Sequence, residues 1–447
     1  MFHSTHVFTG ETIYRRPAQS YTEFTDELNR LQTLQQTFAQ SSIIERTILL
    51  QQFADILTRN QERLAEMVCE EVGRCLHECR AEISKSIELI RYYARLAPEL
   101  LAHKTIATQA SLSQVRFEPL GVVLAVMPWN YPVWQILRFA IPALCAGNAC
   151  AVKPAPSVAR VSETLFSLVP EGLPLIGAWL SHEDTLKAIE DTDAMAFTGS
   201  THTGRLLAAH AGRHLKKTVL ELGGSNPFII LPDADLQRAA IDACYSRFRD
   251  AGQSCNAAKR IVVTQDIAEQ FIPLFLAECA KLQTGNPKDP NTTLAPLHRQ
   301  DLRQTVHEQV QDAIAHGAQC LSGGYIPEGE SWFYPATVLD QVNPNCRVWH
   351  EEVFGPVAMI LRADNPDHAV ALANDTPFGL GACIYTADTA NAWKYAEKIQ
   401  AGSVFINRHT SSDLRLPFGG IKASGYGREL SEFGLYEFVN VKTYWQK

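Results

Sequence analysis

Short apolar runs recur along the middle of this chain: Val122 to Met127, Ala149 to Lys153, Ala194 to Thr198, Thr218 to Leu222 and Pro227 to Leu231. Most are separated by helical patterns. A strand that is apolar along its whole length must be covered on both faces, and helical crossovers supply that cover. The pattern therefore predicts an α/β fold built on a parallel, doubly covered sheet. A second α/β stretch follows, with helices expected near 235–250, 266–283, 300–317, 367–374 and 388–400. Val133 to Cys145 reads as an apolar helix. Upstream, residues 21 to 103 read as helices. Leu28, Leu31, Leu34 and Phe38 keep a 3–4 spacing, as do Ile48, Leu49, Phe53, Ile56 and Leu57. Residues 105 to 119 partly alternate and predict a hairpin. Val439 to Trp445 alternates like an edge strand.

With 447 residues and 46% hydrophobic content, the chain has room for two or three cores. The net charge of −8 gives no footprint for nucleic acid or for an anionic membrane. No apolar run approaches the roughly 20 residues needed to cross a bilayer. Met1 to His6 lacks the charged-then-apolar layout of a signal peptide. The 11 cysteines are scattered, with no Cys-x-x-Cys pair, which points to free thiols in a reducing cytoplasm. Cys69, Cys75 and Cys79 read as buried helix thiols rather than metal ligands, with His77 among them. His3 and His6 lie at a terminus expected to fray. No metal is expected.

Three residues at strand ends carry chemistry together. Cys255 lies in a loop-like segment, Asp250 to Arg260, before the strand Ile261 to Thr264. Glu221 ends a strand and is followed by two glycines. Asn130 ends Pro128-Trp-Asn. A thiol, a carboxylate and an amide donor so placed can act on a carbonyl. Phe197 to Gly204 follows a strand and opens a helix. There Gly199 permits a tight turn and Ser200 can cap the helix. Helix N-termini attract phosphate through unpaired N–H groups and the macrodipole. The Gly-x-Gly-x-x-Gly dinucleotide signature is missing. Lys153 ends another strand, where its ammonium could reach ribose hydroxyls.

Seven motifs, in one order, resemble the aldehyde dehydrogenase superfamily from about residue 20 to the C-terminus. They are Pro128-Trp-Asn130, Lys153-Pro-Ala155, Phe197-Thr-Gly-Ser200 to Gly204, Glu221-Leu-Gly-Gly224, Gly252-Gln-Ser-Cys255, Glu352-Val-Phe-Gly-Pro356 and Pro417-Phe-Gly-Gly420. The resemblance implies a Rossmann-type NAD(P)-binding domain over 1–103 and 120–222 and an α/β catalytic domain over 223–424. A small β oligomerisation arm would take 104–119 and 425–447, and a homodimer or homotetramer would follow. Cys255 matches the nucleophile, Asn130 the oxyanion-hole amide and Glu221 the general base. Lys153 matches the adenosine-ribose ligand and Ser200 the pyrophosphate ligand. Glu352 matches the nicotinamide-ribose carboxylate, and Trp129 and Phe354 line the nicotinamide. Ser157, Gly199, Gly204 and Leu222 complete the expected cofactor set.

The implied chemistry needs each of these types. A Cys255 thiolate attacks an aldehyde. Asn130 and the Cys255 N–H hold the resulting oxyanion. Hydride loss leaves a thioester, which water activated by Glu221 hydrolyses to the free acid. Acylating relatives, which hand the acyl group to coenzyme A, lack a carboxylate at the Glu221 position.

Arg138 falls about two turns after Asn130 in an apolar helix, and Arg249 falls six residues before Cys255. Buried guanidinium groups need partners, and those beside an active site suit a ligand carboxylate. Bacterial succinate-semialdehyde dehydrogenases resemble this chain at both positions. The resemblance implies succinate semialdehyde as substrate, with Ser411 or Ser412 and Phe418 beside it and Arg415 a poorer match. Glutarate semialdehyde, a broad aliphatic range, or a non-catalytic protein keeping the fold are the alternatives. Pro156 and Ser157 stand where many NAD-preferring relatives carry a glutamate. NAD and NADP are both expected, with a slight lean to NAD. The stretch from Lys153 to Gly199 is several residues short for the family, and Pro170 to Gly177 reads as a compressed loop.

Overall fold

The computed structural model describes residues 1–329 and 331–447. Four helices open the main body: Tyr21–Gln40, Ile43–Arg59, Gln61–Val72 and Leu76–Leu100. Ser20 with Glu23, and Ser42 with Glu45, form capping boxes that set the first two starts. Gly73, at φ 89°, ends the third in a left-handed cap. Leu28, Leu31, Phe38, Phe53 and Leu57 are buried as their spacing predicts, whereas Leu34 and Ile48 are exposed.

A six-stranded sheet runs in the order Leu175–Gly177, Ala149–Lys153, Val122–Val126, Ala194–Thr198, Lys217–Glu221, Gly425–Tyr426. All its neighbours are parallel except the last pair. Alternate side chains feed different cores. Val123, Ala125, Cys150 and Val152 pack with the second to fourth opening helices. Val122, Leu124, Ala149 and Ala151 pack with Phe24, Leu28 and Leu31 of the first. Both faces are dry, so both residue sets are apolar.

A seven-stranded sheet follows: Gln319–Ser322, Thr337–Asp340, Val357–Ala363, Ala258–Thr264, Asn226–Ile230, Gly381–Tyr385, Ser403–Ile406. It is parallel apart from its first pair. Lys104–Thr105, Leu112–Pro119 and Val439–Gln446 make a third, antiparallel sheet, with the C-terminal strand at its edge.

Three local readings need correction. Phe2–Thr5 pairs with Thr12–Arg16, and Phe2, Ser4 and Val7 are buried, so the terminus bearing His3 and His6 is a docked hairpin rather than a frayed end. Leu175–Gly177, read as part of a compressed loop, is an edge strand on Cys150–Val152. Gly425–Tyr426, which opens the segment assigned to the arm, pairs with Leu220–Glu221 in the six-stranded sheet.

In the six-stranded sheet the chain builds outward from Val122–Val126 in one direction, then returns to build in the other. Asn130, Lys153, Ser200 and Glu221 all lie at or just beyond the carboxyl ends of these strands, around that switch. Crevices at such reversals are where open α/β sheets bind ligands. The segments carrying Cys255 and Glu352 run into strands of the second sheet, so the cleft lies between the two sheets.

Candidate active site

Helix Leu236–Phe248 ends in a tight turn before Cys255. Asp250 (φ 54°), Ala251 (φ 52°) and Gly252 (φ 71°) are all left-handed there. Non-glycine residues in that region cost on the order of 1–3 kcal/mol each and persist only where their surroundings hold them. Here the Asp250 N–H donates to Glu78 Oε1 at 2.8 Å. Arg74 pairs with the Asp250 carboxylate, and the Tyr131 hydroxyl donates to it. A Cβ on Gly252 would stand 2.4 Å from the Gly355 carbonyl oxygen. The turn is clamped, and it delivers Cys255 to a wall shared by two cavities.

The first cavity, ≈ 320 Å³, also meets Asn130, Glu221 and the cofactor candidates Trp129, Gly199, Ser200, Leu222, Glu352 and Phe354. Burial pushes the Cys255 thiol up to about 11, partly offset by Arg138 and Lys259. Asn130 Nδ2 donates to the Gln253 carbonyl at 3.1 Å, while its buried Oδ1 has no partner. Glu221 is buried and its Oε1 has no partner. Burial, then the neighbouring Glu429, holds its carboxyl well above the usual range. Glu352 accepts from Gly224 N at 3.1 Å and from Lys259 Nζ at 2.8 Å. Lys259 also donates to the carbonyls of Ser254 and Cys255, each at 2.9 Å.

Six of the cofactor candidates line this one cavity. Ser200 caps helix Thr201–Arg213 by accepting from Thr203 N at 3.3 Å. A Cβ on Gly204 would fall 2.5 Å from Leu222, so glycine lets that helix close on the cavity wall. Phe354 meets Trp129 edge-on at 5.8 Å. Lys153 is buried beneath Phe2, its Nζ 5.6 Å from the ring centroid, and burial lowers it to about 8. An ammonium so dry suits hydroxyl or phosphate oxygens arriving from outside the chain. Helix terminus and aromatic walls together fit a dinucleotide, while Lys153 lies under Phe2 and lines neither this cavity nor its neighbour. Ser157 stands apart. It lines a neighbouring cavity with His3, Thr5 and Arg299, and shares a 2.8 Å hydrogen bond with His298 Nε2. His298 in turn stacks on Trp129 at 4.1 Å.

The second cavity, ≈ 260 Å³, holds the substrate candidates Arg138, Arg249, Ser412 and Phe418 beside Cys255. Arg138 is ion-paired with buried Glu429 and lies over the Phe418 ring at 4.9 Å. That partner replaces the open carboxylate-waiting arginine expected from sequence, although Arg138 Nη2 remains without a hydrogen bond. Arg249 lies 3.8 Å from Asp250. The Ser411 hydroxyl is buried without a partner, and it is Ser412, not Ser411, that reaches the cavity wall. Arg415 is exposed and bound to Asp413.

Sequence reasoning missed Lys259, Arg74, Glu82 and Lys85. Two consecutive cations opening a buried strand, Lys259-Arg260, were the signal for the first. Glu78, Glu82 and Lys85 share a face of their helix at 4 and 3 spacing, a pattern normally read as a solvated stripe.

A dinucleotide-type cleft at a sheet reversal, with a thiol on its wall, defines a class of cofactor-dependent oxidoreductases. The comparisons narrow the class: the model of the aldehyde dehydrogenase family matches residues 1–444, and the chain belongs to that family. It is 42% identical over 98% of both chains to a probable succinate-semialdehyde dehydrogenase [NADP(+)] of Synechocystis. A succinate semialdehyde dehydrogenase [NAD(P)+] of Escherichia coli is 40% identical, over 91% of this chain and 89% of its own. The solved succinic semialdehyde dehydrogenase of Streptococcus pyogenes, in complex with NADP+, superposes with TM-score 0.97 at 32% identity, covering 100% of this chain and 99% of that one.

Proposed function

We propose that this enzyme oxidises succinate semialdehyde to succinate with NAD or NADP. The observation that carries the reading is the second cavity, where Arg74, Lys85, Arg138 and Arg249 outnumber the lining carboxylates Glu78, Glu82 and Asp250 beside Cys255. Such a site favours an aldehyde with an anionic tail over an uncharged one. The names of the similar proteins support it.

In this reading Cys255 attacks the aldehyde as the thiolate. The second Nδ2 hydrogen of Asn130 and the Cys255 N–H receive the oxyanion. Lys259 holds the Cys255 carbonyl and Glu352 in one piece, which keeps the thiol aimed at the cleft. A nicotinamide held between Trp129 and Phe354 would supply the hydride acceptor. Glu221 then takes a proton from the water that cleaves the thioester. Lys153, Ser200 and Glu352 would bind the cofactor, with Gly199, Gly204, Leu222, Trp129 and Phe354 shaping its cleft. Pro156 supplies neither a carboxylate to repel a 2′-phosphate nor a guanidinium to hold one, so both cofactors are accepted.

The division into cofactor, catalytic and arm segments, and a cytoplasmic location, belong to the same reading. So does a homo-oligomer, because the three-stranded sheet exposes Leu112, Val441 and Trp445, with Ile106 exposed just after its first strand.

A spectrophotometric panel tests the proposal, using both cofactors with succinate semialdehyde, glutarate semialdehyde and hexanal. The expected order places succinate semialdehyde first, by at least about tenfold in kcat/KM over hexanal. Arg249→Met should raise KM for the semialdehyde far more than for hexanal. It is a cleaner probe than Arg138→Ala, which strands Glu429 in the core. Equal activity on charged and uncharged aldehydes by the wild type would remove the assignment.

A further inference from the structure

We propose that Lys85 is the side chain that selects for the carboxylate of the substrate, donating to it directly across the second cavity. This rests on the reading above that the substrate carries a carboxylate.

Four cationic side chains line the cavity: Arg74, Lys85, Arg138 and Arg249. Three already face carboxylates of the protein. Arg74 is paired with Glu82 and Asp250, both buried. Arg138 is paired with Glu429. Arg249 lies against Asp250. Lys85 differs. Among the described residues its Nζ donates to the Ser412 carbonyl at 2.8 Å and to the Ser412 hydroxyl, and no carboxylate lies within ion-pair distance. An ammonium has three donors, so one N–H is left over. The Trp134 ring, 4.6 Å from Nζ, holds the group over the cavity it also lines.

The surroundings point the same way. Burial lowers the Lys85 ammonium to about 8, and the neighbouring Arg138 and Arg249 add to the effect. A desolvated cation beside two others is short of negative charge. An arriving carboxylate supplies it and is also drawn by both arginines. The reach is built into the helix Leu76–Leu100. Lys85 projects from the face that carries Glu78 and Glu82, which anchor the nucleophile turn and Arg74, so it is set relative to Cys255 by a rigid frame.

The test is the ratio of kcat/KM for succinate semialdehyde to that for hexanal, in wild type and Lys85→Met. Methionine keeps the apolar stem and removes the ammonium. Because both substrates report on one enzyme sample, partial misfolding cancels in the ratio. The ratio should fall about 10–100-fold, carried by KM for the semialdehyde. In the wild type that KM should also climb as pH rises through about 8, where the ammonium is lost, and the climb should vanish in Lys85→Met. The charged groups acting on Lys85 are Glu88 on its own helix, Arg138 on helix Pro132–Cys145, Arg249 at the nucleophile turn and Asp413 in the loop after Ser412. A wild type that does not discriminate between the two aldehydes overturns the carboxylate reading itself. A discriminating wild type whose ratio survives in Lys85→Met within about threefold overturns the role of Lys85 alone.

Discussion

Glu221 illustrates what a single residue must do here. It closes a parallel strand, and its Oε1 is dry and unbonded. Burial and Glu429 both oppose its ionisation. A carboxyl with a raised pKa is neutral below that value and becomes a base only above it, so thioester hydrolysis should speed up as pH rises through the elevated value. Glu221→Gln keeps the shape and removes the base. Stopped-flow absorbance should still show a burst of about one reduced cofactor per subunit, with steady turnover lower by roughly 10²–10⁴. Loss of the burst as well would move Glu221 to an earlier step. Cys255, Glu221 and Asn130 were legible in the sequence because each sits in a short motif beside a strand: Glu221 ends one, Asn130 follows one and Cys255 precedes one. Lys259 was not, since its three acceptors are two backbone carbonyls and a glutamate distant in the chain.

At the scale of elements, local chemistry was readable where the element could be argued from its own residues. Ala149–Lys153 and Ala194–Thr198 form with the bounds their apolar runs suggest. Leu175–Gly177 was hidden because a three-residue strand following Pro174 has no periodicity to show. The N-terminal hairpin was hidden because its order comes from docking: Phe2 packs on Trp179 with ring centroids 5.3 Å apart, and Ser4 accepts from the Arg160 N–H. The C-terminal strand alternates, yet Val441 and Trp445 are more than half exposed, at 60% and 52%. In the proposed homo-oligomer this exposed apolar edge is the contact surface. Val441→Glu combined with Trp445→Glu should therefore shift the protein toward monomer in light scattering at micromolar concentration. An unchanged oligomer mass would place the interface elsewhere.

Across the whole molecule, Arg74 joins parts that no local pattern connects. It pairs with Glu82 and Asp250, lies 4.0 Å from the Tyr131 ring centroid and reaches the Asn130 carbonyl at 3.4 Å. Glu82 also accepts from Val133 N and Trp134 N, both at 3.0 Å, and so caps the helix that carries Arg138. One buried guanidinium thus ties the opening helices, the Asn130 segment and the nucleophile turn. Arg74→Met would leave buried Glu82 without a counter-charge and Asp250 with only the more distant Arg249, a loss of about 3–5 kcal/mol. Differential scanning calorimetry should show a Tm lower by several degrees, and a shift under one degree would refute the tie.

The order of apolar runs and helices, and the thiol, carboxylate and amide at strand ends, were settled by the sequence alone. Periodicity and turn chemistry act over a few residues, so they are written where they act. The partners of the buried charges were decided only by tertiary structure. Glu429 reaches Arg138, and Asp250 reaches Arg74, from distant parts of the chain, leaving Lys85, among the described residues, the cation of the second cavity that faces no protein carboxylate. Ion pairing under burial depends on distance through space, and that distance exists only once the chain has folded.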